Sequence, residues 1–234
     1  MPKIFILLLV AALLISPKND LPDSSRAKTV RESIWPKLQA ELKSKGLSPK
    51  APIYIRLFKD IDSFEIWVKS GRKYRLFKSY TICTYSGGLG TKTVEGDNKS
   101  PEGFYTIGPK QLNPVSNYHL AMNVGYPNKV ERLKGYTGNS VMIHGNCMSA
   151  GCYAMTDSGI DEIYTLVYKA LEAGQQAVQV DIFPFRMNSE HMKKYASNSS
   201  VTFWKTIKPG YDLFERKRVP AVVGLKGREY AFNN

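Results

Sequence analysis

Between Ile53 and Val68 two runs, Ile53 to Phe58 and Phe64 to Val68, carry apolar residues at every second position. Only an extended strand gathers such a period onto one face, so this stretch constrains the fold more than any other. Ile53, Ile55 and Leu57 point one way, Tyr54, Arg56 and Phe58 the other, and Phe64, Ile66 and Val68 repeat the pattern before Ser70-Gly71. With a further strand from Tyr74 to Thr84, the first half reads as a β-meander. Residues 86–103 are glycine-rich and poor in apolar side chains, which makes a long loop. Phe104 to Ile107 and Val141 to His144 are short strand candidates. Behind the caps Thr156 and Asp157, the residues Ile160, Ile163, Tyr164, Val167, Tyr168 and Leu171 mark one face of a helix ending near Gly174. Alternation returns at Val178, Val180 and Ile182.

The two ends read differently. Val30, Ile34, Leu38 and Leu42 recur at near-helical spacing after Asp23-Ser24-Ser25, and Pro36 inside the pattern predicts a kink or two short helices. Beyond Arg186 the tail reads as polar and irregular, with one helix near Ser200 to Ile207 and a strand near Ala221 to Leu225. Ile4 to Ile15 form an unbroken apolar run after Lys3, the length of a secretory signal core and too short to span a bilayer comfortably. Export to the periplasm is the expectation, with a retained membrane tether as the alternative because no clean A-x-A site follows.

The 33 Lys and Arg against 20 Asp and Glu leave a formal charge of +13, which favours a polyanionic partner unless those side chains are simply solvated surface. Export points away from nucleic acid, towards an envelope polymer or an anionic membrane surface. Three cysteines, Cys83, Cys147 and Cys152, cannot all pair within one chain. Either all three are thiols, or Cys83 and Cys147 pair and Cys152 stays free.

His144 and Cys152 bracket a short segment, Ile143-His144-Gly145-Asn146-Cys147-Met148-Ser149-Ala150-Gly151-Cys152. Cysteine attacks as thiolate, only a few per cent of which is present near neutrality, so a nearby imidazole supplies the missing activation. Gly151 makes the turn, the following helix would favour a thiolate through its dipole, and backbone N–H groups of Gly151 and Tyr153 would hold an oxyanion. The plainer reading of Cys152 is a small buried side chain, and of His144 a strand-end histidine bonded to backbone. Cys147 is the rival nucleophile but lacks the Gly-Cys turn. His119, in Asn117-Tyr118-His119-Leu120, is read as a substrate contact, with Ser149 and Gly145 also on the substrate side. His191 sits in the polar tail without an evident partner. A zinc site from His119, His144, Cys147 and Cys152 would have spacings that match no zinc pattern, so neither metal nor cofactor is expected. No acid is placed to orient His144: Asp157, Asp161 and Glu162 read as first-turn helix acids, and a backbone carbonyl would hold the imidazole to give a dyad. Tyr85-Ser86-Gly87-Gly88 and Ser100-Pro101-Glu102-Gly103-Phe104-Tyr105 read as turn chemistry.

Taken together, Ile143-His144-Gly145, Ser149-Ala150-Gly151-Cys152 and Ser100-Pro101-Glu102-Gly103-Phe104-Tyr105 resemble the YkuD-type L,D-transpeptidases, exported cysteine enzymes that act on peptidoglycan stem peptides. The likeness covers about residues 53–184. It implies a mostly-β (α+β) fold, a YkuD-type β-sandwich with a helix after the catalytic cysteine and a helical N-terminal segment. The expected divisions are a signal peptide at 1–16, the N-terminal helical segment at 17–48, the catalytic domain at 49–186 and a C-terminal extension at 187–234. Most members have a longer segment between histidine and cysteine, a basic residue just before Gly-Cys and an arginine two residues after the cysteine; here Ala150 and Ala154 stand at those places. The short variant, with Phe58-Lys59, Gly125-Tyr126-Pro127-Asn128 and Ile182-Phe183-Pro184-Phe185, is similar to the YafK-like (DpaA) branch. For that branch the resemblance implies an amidase. It would hydrolyse the diaminopimelate–lysine amide that joins the major outer-membrane lipoprotein to peptidoglycan, through a Cys152 thioester with His144 as base. The alternatives are an L,D-transpeptidase that forms 3-3 cross-links or lipoprotein links, and a non-catalytic peptidoglycan-binding protein.

Overall fold

The computed structural model describes residues 21–233, so the signal-peptide reading of residues 1–16 lies outside the described residues. In chain order the elements are α1 (Ser25–Ser44), β1 (Ile53–Phe58), β2 (Ser63–Ser70), β3 (Lys73–Thr81), β4 (Gly103–Ile107), β5 (Leu112–Asn113), β6 (Ala121–Asn123), α2 (Lys129–Leu133) and β7 (Met142–His144). There follow β8 (Tyr153–Ala154), α3 (Asp157–Glu172), β9 (Val178–Phe183), α4 (Ser189–Lys194), α5 (Val201–Lys217), β10 (Val222–Lys226) and β11 (Glu229–Asn233). The fold is α+β. One sheet runs β3-β2-β1-β9-β4, a second β5-β6-β7-β8, and β10 and β11 form a hairpin.

The alternation that opens the domain builds the main sheet. β1 pairs antiparallel with β2 and parallel with β9, placing Ile55 beside Ile66 on one side and Val180 on the other. Ile53, Ile55, Leu57, Phe64, Ile66, Val68, Val180 and Ile182 all enter one core, shared with Leu38 and Leu42 of α1, Ile160 and Ile163 of α3, and Met122 and Ile143 of the second sheet. The two sheets and the two helices thus enclose a common interior.

The opposite face of β1 is buried as well, and this corrects the reading of the tail. Phe58, Phe104, Phe183 and Phe185 pack with Trp204, Ile207 and Tyr211 of α5, and Tyr230 and Phe232 of the hairpin close over them. The helix expected near Ser200 to Ile207 continues to Lys217, straight through Pro209. Proline there forgoes one backbone hydrogen bond, but a face of Trp204, Ile207, Tyr211 and Phe214 buried against the sheet outweighs it. Likewise α1 is one helix of 20 residues with Pro36 inside it, not two short ones. Its buried residues Ala27, Leu38 and Leu42 lie on both sides of the proline, so packing holds the two halves in line.

No helix among the described residues is long and apolar enough to cross a membrane.

Candidate active site

The candidate residues lie at one side of the second sheet, His144 on β7 and Cys152 just before the edge strand β8. β7 pairs parallel with β8, setting Ile143 beside Tyr153 and His144 beside Ala154. Cys152, one residue before that ladder, lies beside Met142, whose N–H donates to Sγ at 3.4 Å. In a parallel pair, residues two apart share a face. On that period Cys152 and His144, two positions apart along the paired strands, fall on the same side. Among the described residues no hydrogen bond joins them directly; the thiol instead faces the carbonyl of Ser140 at 3.9 Å.

The Cys152 turn is held by its carbonyl. Gly151 has φ of +114°, in the left-handed half of conformational space that glycine enters without strain. The Cys152 oxygen then accepts from Ser149 Oγ at 2.7 Å and from Ser100 Oγ at 3.1 Å. Tyr153, fully buried, donates its hydroxyl to the Pro101 carbonyl at 2.6 Å. The Ser100-to-Tyr105 segment is thus more than the turn its sequence suggested, because it carries two of the contacts that fix the Cys152–Tyr153 turn. It is braced in turn. Glu102 pairs with buried Lys59 at 3.1 Å and accepts from Trp204 Nε1 at 2.7 Å, while Lys59 also donates to the Gly90 and Ser100 carbonyls. Ser149, expected on the substrate side, is spent on the turn.

Cys83 and Cys147 form a disulfide, and Cys152 is the free thiol. The bridge ties the segment between His144 and Cys152 to the chain leaving β3, next to the point where Thr84 bridges Ala154.

His144 is 3% exposed. Its Nδ1 lies 2.6 Å from the Gly145 carbonyl; a carbonyl only accepts, so Nδ1 carries the proton and Nε2 keeps its lone pair. Burial pulls the imidazole below its ordinary pKa of 6.5, the Gly145 bond opposing, and it is neutral at pH 7. Burial also pushes the Cys152 thiol above its ordinary 9.0, with the Met142 N–H opposing. The resting pair is therefore thiol and neutral imidazole. The helix whose dipole was expected to favour a thiolate starts where the sequence put it, next to Thr156. α3 begins at Asp157, behind the Thr156 cap, and β8 stands between it and the thiol. An extended strand advances about 3.3 Å per residue, whereas the dipole fades within a turn.

Tyr118 was not singled out from sequence. Its ring lies on the His144 ring, with centroids 4.8 Å apart and planes inclined by 36°, and its carbonyl accepts from Gly145 N at 3.0 Å. Its neighbour His119 turns away to pair with Asp161 of α3 at 2.6 Å. Asp161 is thus a partner of His119 as well as a helix acid, and Glu162 pairs with Lys78. Gly145 is buried, and a Cβ there would come within 2.6 Å of Asp157 Oδ1 and 3.0 Å of the His119 Cβ. Its smallness serves close packing and leaves no room for a substrate contact through a side chain. His191, thought partnerless, donates from Nδ1 to the Arg186 carbonyl at 2.9 Å.

With Cys147 bridged and His119 paired, the four residues weighed as zinc ligands are not assembled, and among the described residues no group of three or more His, Cys, Asp or Glu is arranged to hold a metal. A cleft of about 700 Å³, lined by Phe104, Thr106, Val124, Arg132, Val223 and Tyr230 among others, touches neither Cys152 nor His144.

The profile of the YkuD L,D-transpeptidase catalytic domain matches residues 57–182, more than half of the chain and inclusive of both candidate residues. The chain belongs to this family. Within it the chain is YafK-like: "Putative L,D-transpeptidase YafK" of Escherichia coli K12 is 49% identical over 180 residues, covering 77% of this chain and 73% of that protein. The protein of the same name from Escherichia coli O157:H7 gives the same values. Among solved structures, the helical cell shape determining protein Pgp2 from Campylobacter jejuni aligns over 81% of this chain and 80% of its own, at 19% identity and a TM-score of 0.46. Bdellovibrio bacteriovorus Bd1075 aligns over 75% of this chain and 77% of its own, at 14% identity and a TM-score of 0.41.

Proposed function

We propose that this exported member of the family is a cysteine amidase. It cleaves the amide between diaminopimelate of peptidoglycan and the C-terminal lysine of the major outer-membrane lipoprotein. The observation that supports it most is the free thiol of Cys152 two positions along the β7–β8 register from a neutral imidazole whose Nδ1 is tied to the Gly145 carbonyl. That arrangement leaves Nε2 as the one basic site of His144, which is what a general base needs.

Sγ attacks the diaminopimelate carbonyl as His144 Nε2 takes the thiol proton. The S–C bond forms, the C–N bond breaks, and the same proton passes to the leaving lysine nitrogen, which departs as a free amine. Water then attacks the thioester with His144 again as base, releasing the diaminopimelate carboxylate and restoring the thiol. The Cys152 carbonyl is engaged by two hydroxyls, which fixes the turn and leaves the backbone N–H groups of Gly151 to Tyr153 as the donors proposed for the oxyanion. One such donor is worth up to about 3 kcal/mol of barrier. The reaction needs no cofactor.

The alternative is that a diaminopimelate amine replaces water, giving a 3-3 cross-link. The short 145–151 segment, stapled by the disulfide and shared with the YafK-like branch, favours hydrolysis. Incubation of the protein with lipoprotein-bearing sacculi decides between them. Intact lipoprotein released without new 3-3 cross-links supports the amidase, and cross-links without release overturn it. If Cys152→Ala acts like wild type, no cysteine enzyme is at work and a binding role replaces it.

A further inference from the structure

Tyr118 borders the base that must protonate the leaving amine. Two groups must meet the leaving nitrogen: the carbonyl carbon attacked by Cys152, and His144 Nε2, which must come within about 3 Å to deliver the proton. Sγ of Cys152 meets the Met142 N–H and the Ser140 carbonyl, and Ser149 and Ser100 hold the Cys152 carbonyl, so the acyl half of the substrate belongs to the Cys152 side. The imidazole side is bordered by Tyr118, whose ring lies 4.8 Å from the His144 ring. Tyr118 is 46% exposed although the ring it covers is 3% exposed. One aromatic face therefore shields the base and the rest stays open to solvent beside it.

The loop that carries Tyr118 is clamped. Arg26 of α1 donates to the Ser116 and His119 carbonyls at 3.0 and 2.7 Å, Ser24 to the Pro114 carbonyl at 2.8 Å, and His119 locks onto Asp161. A half-exposed aromatic on a fixed loop loses little entropy when a ligand packs on it.

We propose that Tyr118 is the specificity wall for the leaving group, and that it selects primary amines carried on an unbranched alkyl stem, such as a lysyl side chain. The inference rests on the amidase reading and adds to it a residue and a chemical preference. The methylenes between the leaving nitrogen and the rest of the amine lie along the open part of the ring.

The test uses the full protein and synthetic stem-peptide donors whose diaminopimelate carboxyl is amidated by methylamine, by diaminopropionate through its side-chain amine, or by lysine through its ε-amine. In wild type, kcat/KM rises with stem length. Tyr118→Ala lowers the lysyl-to-methyl ratio by on the order of tenfold, the loss expected when a few methylenes lose one apolar face, and Tyr118→Phe keeps it. An unchanged ratio in Tyr118→Ala, or a wild type indifferent to stem length, overturns the proposal and leaves the amidase reading intact. Cleavage of none of the donors, with cross-linking instead, overturns both. The wild-type series stands by itself should the alanine variant not fold.

Discussion

Ser100 donates its hydroxyl to the carbonyl of Cys152 at 3.1 Å across 52 residues of chain. Ser149 reaches the same oxygen at 2.7 Å from three residues away. Two donors on one carbonyl, one local and one distant in sequence, hold the Cys152 peptide plane. Either alone leaves the turn able to rotate. Ser100→Ala should therefore lower kcat about three- to tenfold, in line with one hydrogen bond of about 1 kcal/mol, with little change in KM. Combined with Ser149→Ala the loss should exceed the product of the two. Steady-state kinetics on a stem-peptide donor check this, and a change confined to KM counts against it.

Burial sets the resting protonation of the pair, and pH reads it. The Cys152 thiol is held above 9.0 and His144 below 6.5. Alkylation of Cys152 by iodoacetamide should be slow at pH 7 and climb with a midpoint above 9, while the acid limb of kcat/KM should fall below pH 6.5. A reactive plateau extending down to pH 5 would mean a preformed thiolate–imidazolium pair. His144 also links pH to stability. The unfolded chain takes up its proton first, near 6.5, so His144 favours the fold above that pH and the benefit is lost as pH falls towards the lower folded value.

Asp181 carries the opposite sign. It lies buried beneath α5, accepts from Tyr54 Oη and from Gln179 at 2.9 Å, and burial raises it from 3.8 to about 7. The folded state keeps a proton that the unfolded chain releases. This contribution to stability is whole below 3.8 and fades as pH rises to about 7, at up to about 1.4 kcal/mol per pH unit. Asp181→Asn should flatten the dependence of Tm on pH between 4 and 7. Parallel curves for variant and wild type would show that Asp181 is ionised throughout.

The bridge between Cys83 and Cys147 closes a sequence separation of 64 residues. Chain entropy assigns such a loop about 4 kcal/mol. Replacing both cysteines with serine should lower Tm by several degrees and reduce kcat, because the freed segment joins His144 to Cys152. Equal Tm for the serine variant and wild type under oxidising conditions would show that the bridge contributes nothing to stability.

Much of this was legible beforehand. Alternation from Ile53 onward placed β1, β2 and β3. The Thr156 cap and the stripe from Ile160 to Leu171 placed α3 to within a residue or two. The Ile-His-Gly and Ser-x-Gly-Cys segments drew attention to His144 and Cys152, which the structure places two positions apart in the register of β7 and β8. What was missed has a common cause. Tyr118 sits beside His144 because β6 pairs with β7, and nothing in Asn117-Tyr118-His119-Leu120 shows this. His119 drew notice for its chemistry, yet its imidazole goes to Asp161, 42 residues away. The tail beyond Arg186 looked irregular because its aromatic spacing straddles Pro209, and proline is a local stop signal that a buried face overrode.

The amino-acid sequence by itself determined which segments would be strand or helix, which side chains could do nucleophilic chemistry, and which family the chain resembles. These are local signals, carried by period, caps and short motifs. The tertiary structure alone decided that the Cys152 carbonyl is held from Ser100, that Tyr118 covers His144, and that the thiol and imidazole rest neutral. Each of these depends on burial or on contacts between residues far apart in the chain, and only the packed sheets and helices bring such groups together and exclude the water that would keep them charged.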